Sequence, residues 1–351
     1  MIIENITQLE KDFPVTIIGT GPASCTLALK LEEKKIPTLL LEAGGFGKRN
    51  KDDKFIQNEI SQDFYKGYKG GSQSYLGDLH EQRIRSFGGT SNLWTGLSRP
   101  LEEYIYEKWP IKKEDLDIYL EEASKILEVE TSFNSDVKLN NNLKQVEYSY
   151  SRPGEYNLKK SNSSPVRFSD KYKNRILESK YIHLAINSPV LQINGNDKKC
   201  SELIVNFNNI RKIIPIKKLI VGCGGYENAR LLLWSRQKTK TSFLKNLPIG
   251  NYFNVHPVWK SATGIMRMDQ LDKVFDKKIK SPMYSGTYIL SPTEYFLKQN
   301  KISNIVVRIN RYNHHQKYME LLREILCVAP EYGKKIAQLG KKKIDCSDIF
   351  L

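Results

Sequence analysis

The apolar positions of this chain fall into short runs, several of which end abruptly in small residues. Val15-Thr16-Ile17-Ile18 is apolar and β-branched, and passes directly into Gly19-Thr20-Gly21-Pro22-Ala23-Ser24. That pattern predicts a strand running into a tight turn. Leu27, Ala28 and Leu31 then build a helical apolar face, with Pro22 where a first helical turn tolerates a missing N–H. A second strand, Leu39-Leu40-Leu41, ends in Glu42-Ala43-Gly44-Gly45. Further on, Leu116, Tyr119, Leu120, Ala123, Ile126 and Leu127 predict one packed face on a helix from Asp115 to Leu127. Asp170 to Glu178 reads as helix, and Ile182 to Val190 as apolar strand. Leu191 to Ile193 and Glu202 to Phe207 flank the turn-rich Asn194-Gly195-Asn196-Asp197, which predicts a hairpin. Lys218-Leu219-Ile220-Val221 leads into Gly222-Cys223-Gly224-Gly225 and a new helix. Thr287 to Leu290 and Ile305 to Val307 have strand composition. Between these, residues 46–79 and 131–164 are polar and carry no dependable period.

The first strand, turn, helix and strand have the order that a dinucleotide requires. Gly19 turns the chain off the strand, and Gly21 lets a pyrophosphate reach the unpaired N–H groups and positive dipole end of the helix. Glu42 stands at the end of the second strand, where a carboxylate accepts ribose hydroxyls and repels a 2′-phosphate, which disfavours NADP. Ser24 replaces the third glycine of the fingerprint, which predicts slightly looser packing of helix on strand. The same residues would also suit a glycine-containing turn in another α/β protein. At this point the dinucleotide could be NAD or FAD.

Composition adds little to this and excludes several classes. With 351 residues, 40% hydrophobic and 27% charged, the chain can bury a sizeable core. The net charge of +16 is spread over scattered lysines, with a cluster at Lys341-Lys342-Lys343. No aromatic-and-basic RNA motif or zinc-finger spacing accompanies it, so a solvated basic surface is expected and nucleic acid is not. The cysteines Cys25, Cys200, Cys223, Cys327 and Cys346 form no CxxC pair, so neither a disulfide framework nor a zinc site is expected. Cys25 and Cys223 read as small core residues. The N-terminal residues lack the pattern of a secretory signal, and no run reaches transmembrane length. A cytoplasmic setting without an integral membrane segment is the expectation.

A second glycine-rich stretch narrows the choice. Arg83-Ile84-Arg85-Ser86-Phe87-Gly88-Gly89-Thr90-Ser91-Asn92-Leu93-Trp94-Thr95-Gly96 combines paired glycines, short polar groups and a tryptophan, and can lie against a flat polar ligand. With Trp109-Pro110-Ile111, Gly224-Gly225-Tyr226-Glu227-Asn228-Ala229-Arg230-Leu231-Leu232 and Ile249 to Pro257, it resembles the glucose-methanol-choline (GMC) oxidoreductase family, flavoenzymes that oxidise alcohols. The resemblance implies FAD, with the segment through Gly89, Ser91, Asn92 and Leu93 running along the flavin. It also implies that the Val190 backbone meets the adenine and that Gly224 lies beside the cofactor. In relatives of pyranose oxidase a histidine at the place of Leu93 attaches the flavin covalently. Leu93 has no nucleophile, so non-covalent FAD is implied. The histidine matching His256 is not the family's proton acceptor, and His183 reads as a strand-face residue.

The resemblance runs from about Val15 to Arg308 and then stops. The family's Gly-Thr-x-Arg-Met stretch, catalytic His with its His or Asn partner, and terminal Asn-Pro segment have no copy here. Gly264-Ile265-Met266-Arg267-Met268 comes nearest, but precedes the substrate strands. No catalytic base is assigned. The expectation is an α/β protein with a discontinuous Rossmann-like FAD-binding domain over 13–130 and 164–258. A polar insertion at 131–163 and a partial antiparallel substrate domain with a basic tail at 259–351 complete it. The implied function is oxidation of a CH–OH group on a sugar- or alcohol-like small molecule, with a second chain as a possible source of the missing catalytic part. The alternatives are a truncated FAD-binding relative or subunit without turnover, and an NAD-dependent dehydrogenase sharing only the first motif.

Overall fold

A computed structural model of the chain describes residues 1–47, 84–94, 96–129, 136–146, 149–150, 165–196, 199–239, 244–251, 287–302 and 304–310. The excursion over 48–83, His256-Pro257, Gly264 to Met268, His314, His315 and the tail from Cys327 lie outside the described residues. In chain order the elements are β1 (Val15–Ile18), α1 (Pro22–Glu33), β2 (Thr38–Leu41) and β3 (Leu97–Ser98). Next come α2 (Lys113–Asp117), α3 (Leu120–Leu127), β4 (Val137–Lys138), β5 (Leu143–Gln145) and β6 (Ser149–Tyr150). Then follow α4 (Phe168–Lys171), α5 (Lys173–Glu178), β7 (Ile182–Ala185), β8 (Val190–Gly195), β9 (Cys200–Phe207), β10 (Ile210–Pro215) and β11 (Leu219–Val221). The last are α6 (Gly225–Lys238), β12 (Thr287–Pro292), α7 (Glu294–Asn300) and β13 (Val307–Asn310).

The fold is mixed α/β around a four-stranded, all-parallel sheet in the order β11-β1-β2-β7. This arrangement is compatible with a Rossmann-like architecture. Its strands are apolar on both faces because both faces are covered. Val15, Ile17, Leu40, Ile182 and Leu184 pack with Cys25, Ala28 and Leu29 of α1 and Ile176 of α5. Ile18, Leu39, Leu41 and Ala185 pack on the other side with Ile193, Leu203, Val205 and Ile214 of the antiparallel sheet β10-β9-β8, and with Leu231 of α6. Residues 1–3 extend the parallel edge, where Ile2 bridges Leu184 and the Ile3 N–H donates to Leu184 O at 2.8 Å.

The chain forms two compact units, Met1–Phe133 with Tyr148–Thr263, and Asn134–Glu147 with Gly264–Leu351. The second contains the antiparallel sheet β13-β12-β5-β4. Two strands of that sheet come from the polar stretch after residue 131, where no period was legible. The helix expected over Asp115 to Leu127 is two shorter ones. Ile118 and Tyr119 break it, and the break turns the face: Tyr119 and Ala123 are exposed, whereas Ser124 is buried. The hairpin of β8 and β9 forms, but β8 runs on through Asn194 and Gly195, which pair with Glu202 and Cys200 instead of turning. A third strand, β10, joins it through Asn208 and Asn209, both at positive φ (47° and 66°). An Asn-Asn pair between apolar runs was the available signal for this turn.

Candidate functional site

The chain passes from β1 through α1 to β2 on one side, and the other side of β1 is filled by β11, which arrives late in the chain. In an open parallel sheet such a switch point, at the carboxyl ends of the strands, opens a crevice. The β1–α1 turn follows the carboxyl end of β1. Gly19 has φ +93°, and a Cβ there would stand 2.6 Å from Gly222 O at the end of β11. No residue with a side chain fits that position, so the glycine lets the two strand ends close on each other. Ser24 is buried, and its Oγ donates to Gly222 O at 3.3 Å. The place of a third glycine is therefore filled by a hydrogen bond, and the glycine that makes room for it is Gly222 on the neighbouring strand.

Gly21 is the N-cap of α1, with no side-chain cap and no acidic residue in the first turn. A Cβ on Gly21 would meet nothing within 4 Å. No side chain caps the first turn, the condition under which a helix N-terminus accepts an anionic group.

Glu42 follows β2 and is buried. Its Oε2 accepts from the Thr20 N–H at 3.1 Å and from the Thr20 hydroxyl, and its Oε1 accepts from the Gly44 N–H at 2.9 Å. Burial raises its carboxyl above the ordinary range, and the bonds from Thr20 and Gly44, with the charge of Arg85, oppose that rise. A carboxylate has about four acceptor positions. The bonds to Thr20 and Gly44 occupy three of them and orient the group.

The segment from Ile84 to Trp94 crosses this turn. Gly45 bridges Ser86, and the Phe87 N–H donates to Gly45 O at 3.0 Å. The Gly88 N–H donates to Thr20 Oγ1 at 3.2 Å. Gly89, at φ +54°, comes so close that a Cβ on it would lie 2.8 Å from Gly21 Cα. Ser91 and Asn92 face inward. Ser91 Oγ donates to Gly88 O at 2.6 Å and accepts from the Phe168 N–H at 3.0 Å. Asn92 Nδ2 donates to Phe87 O at 2.9 Å, and its Oδ1 accepts from Ser169 Oγ. Arg167 donates to Trp94 O at 2.8 Å, and the Trp94 indole N–H to Val166 O at 2.8 Å. Ser91 and Asn92 therefore hold the segment onto the start of α4, while Leu93 is 42% exposed.

The remaining expected positions separate. Val190 opens β8, pairs with Val205 and is buried in the core. Gly224 is the N-cap of α6 at φ +82°, with open space beyond it. Cys25 and Cys223 are held by burial with thiols pushed up to about 12, which keeps them protonated. His183 lies on β7 against Phe13, with ring centroids 5.0 Å apart, and burial lowers its pKa. Among the described residues no cluster of three or more His, Cys, Asp or Glu could hold a metal ion. No helix among them is long and apolar enough to cross a membrane. The residue that sequence reasoning passed over is Thr20, whose hydroxyl joins Glu42 to the crossing segment. Its position inside the first motif was the only signal.

No model of a known protein family matches the chain, and no curated protein matches it either.

Proposed function

We propose that this chain binds FAD non-covalently and acts as a GMC-type oxidoreductase on a CH–OH group of a sugar- or alcohol-like donor. The observation that carries the reading is the convergence at the switch point of the uncapped α1 N-terminus beside Gly21, the buried Glu42 and the crossing segment at Gly88 and Gly89. In this reading the pyrophosphate sits on the first-turn N–H groups of α1 and an adenosine ribose hydroxyl donates to Glu42. The segment through Leu93 borders the ring system, and Leu93 offers no atom for a covalent link. When bound, FAD supplies the two-electron acceptor for the donor carbon. The crossing segment favours FAD over NAD, because a minimal dinucleotide turn does not require it.

The donor's hydroxyl proton also needs an acceptor, worth about two to four orders of magnitude in rate. Among the described residues the one histidine is His183, which packs on Phe13. That observation favours a second reading, an FAD-binding relative or subunit without turnover, whose base would have to come from another chain.

The test is the visible absorption spectrum of the purified chain with and without added FAD, repeated anaerobically with a panel of sugars and alcohols. Flavin bands that bleach with a donor support the oxidoreductase. Bound flavin that stays oxidised across the panel supports the second reading. A folded chain that takes up no FAD rejects both.

A further inference from the structure

Thr20 occupies the point where three parts of the site meet. Its backbone N–H and its hydroxyl both donate to Glu42 Oε2, its Oγ1 accepts from the Gly88 N–H, and its carbonyl accepts from the Cys25 thiol. The side chain is 1% exposed. Removing the hydroxyl alone would leave the Gly88 N–H without this acceptor and Glu42 without one donor, while leaving the backbone bond intact. A serine could supply both. We propose that the Thr20 hydroxyl is a positioning residue that couples the ribose-binding carboxylate to the Gly88-Gly89 segment, so that nucleotide binding at one is felt at the other. This rests on the FAD reading for its ligand, but the coupling itself belongs to the chain.

The coupling has a pH signature. The charged and titratable groups acting on Glu42 or responding to it are Arg85 on the crossing segment, Cys25 on α1 and Cys223 after β11. With both thiols protonated, Arg85 is the remaining charge among the described residues. The Thr20 hydroxyl favours the ionised carboxylate, so its loss lets Glu42 keep its proton to higher pH.

The experiment compares wild-type, Thr20→Val and Thr20→Ser full-length chains in three measurements. These are amide hydrogen exchange at Gly88, the titration of the Glu42 carboxyl by NMR, and FAD affinity across pH. In Thr20→Val, Gly88 exchange is expected to accelerate and the Glu42 titration to move up. The FAD Kd is expected to rise about tenfold or more above the Glu42 titration, as for a lost hydrogen bond to a charged group, and to converge with wild type below it. Thr20→Ser is expected to restore all three. Unchanged Gly88 exchange and Glu42 titration in Thr20→Val would overturn the coupling, whether or not FAD binds. If both change but the wild-type chain binds no FAD, the coupling stands and the FAD reading falls. A Thr20→Val chain that fails to fold passes the decision to Thr20→Ser, where wild-type exchange and titration support the hydroxyl's role and a shift in either refutes it.

Discussion

The parallel sheet carries two glycine-rich strand-to-helix turns side by side, Gly19 to Ser24 after β1 and Gly222 to Gly225 after β11, and they differ in what occupies the helix entrance. At α1 the first turn has no acidic residue and no side-chain cap. α6 also has no side-chain cap, but its first turn carries an acid. The Cys223 N–H donates to Asn228 Oδ1 at 2.7 Å, and Glu227 in the first turn already answers the positive dipole end while pairing with Arg230 at 2.7 Å. A carboxylate there opposes an incoming phosphate. On the proposed reading, glycines after a strand are insufficient for an anion site. The distinction lies in the residues that follow, and in the carboxylate that the adjacent strand bonds to the first turn through Thr20.

The sharpest way to break this comparison is a pair of glycine substitutions. Gly19→Ala combines a positive φ with a Cβ 2.6 Å from backbone, and is expected to cost about 3 kcal/mol or more of stability in urea unfolding. Gly224→Ala shares the positive φ but meets open space, so about 1–2 kcal/mol is expected. Equal losses would show that the two turns are equally crowded.

A second pair separates binding from folding. Gly21→Ala has φ −65° and nothing in reach of its Cβ, so stability should hold within about 1 kcal/mol while, on the proposed FAD reading, FAD affinity falls about 10- to 100-fold. Gly225→Ala, equally open, should leave FAD affinity unchanged. Calorimetric titration with matched unfolding curves distinguishes them, and an equal loss of affinity at both would place the ligand at both turns.

Smaller in scale is the pH dependence of the ligand-free chain. Because the folded state holds the Glu42 carboxyl above its unfolded value, its contribution is fully present below the ordinary carboxylate range. It is lost as pH rises through the raised value, with a slope of at most about 1.4 kcal/mol per pH unit. Glu42→Gln should remove that slope from urea midpoints measured across the interval. The smallest effect is expected at the second turn, where Glu227→Gln should change stability by about 0.5 kcal/mol and leave FAD affinity within about twofold.

Much of the parallel core was legible because its signals are local. Val15 to Ile18, Leu39 to Leu41 and Lys218 to Val221 are short apolar runs bounded by glycine or acid, and each forms its strand within a residue or so. Helix continuity was less legible. Nothing in the period from Asp115 to Leu127 announces the break at Ile118 and Tyr119, both of which are exposed. The strands in the polar stretch, β4 and β5, have too few apolar residues to mark a face; β5 pairs with β12, and β4 with β5. At the site, Gly21 and Glu42 could be placed from spacing. The inward roles of Ser91 and Asn92 depend on Phe168 and Ser169, far along the chain, and no local pattern reports such a bond.

The sheet order also has a consequence for how the protein is made. The ends of β1 and β11 meet across a separation of 205 residues, between Ile18 and Cys223. At ribosomal rates of about 5–20 residues per second, the partner edge of β1 emerges about 10–40 seconds after β1 itself. Until then the nascent chain carries an apolar parallel edge with no partner on that side, open to pairing with other chains. The junction of Gly19 with Gly222 cannot form in that interval, so a dinucleotide bound as proposed would join late in synthesis or after release.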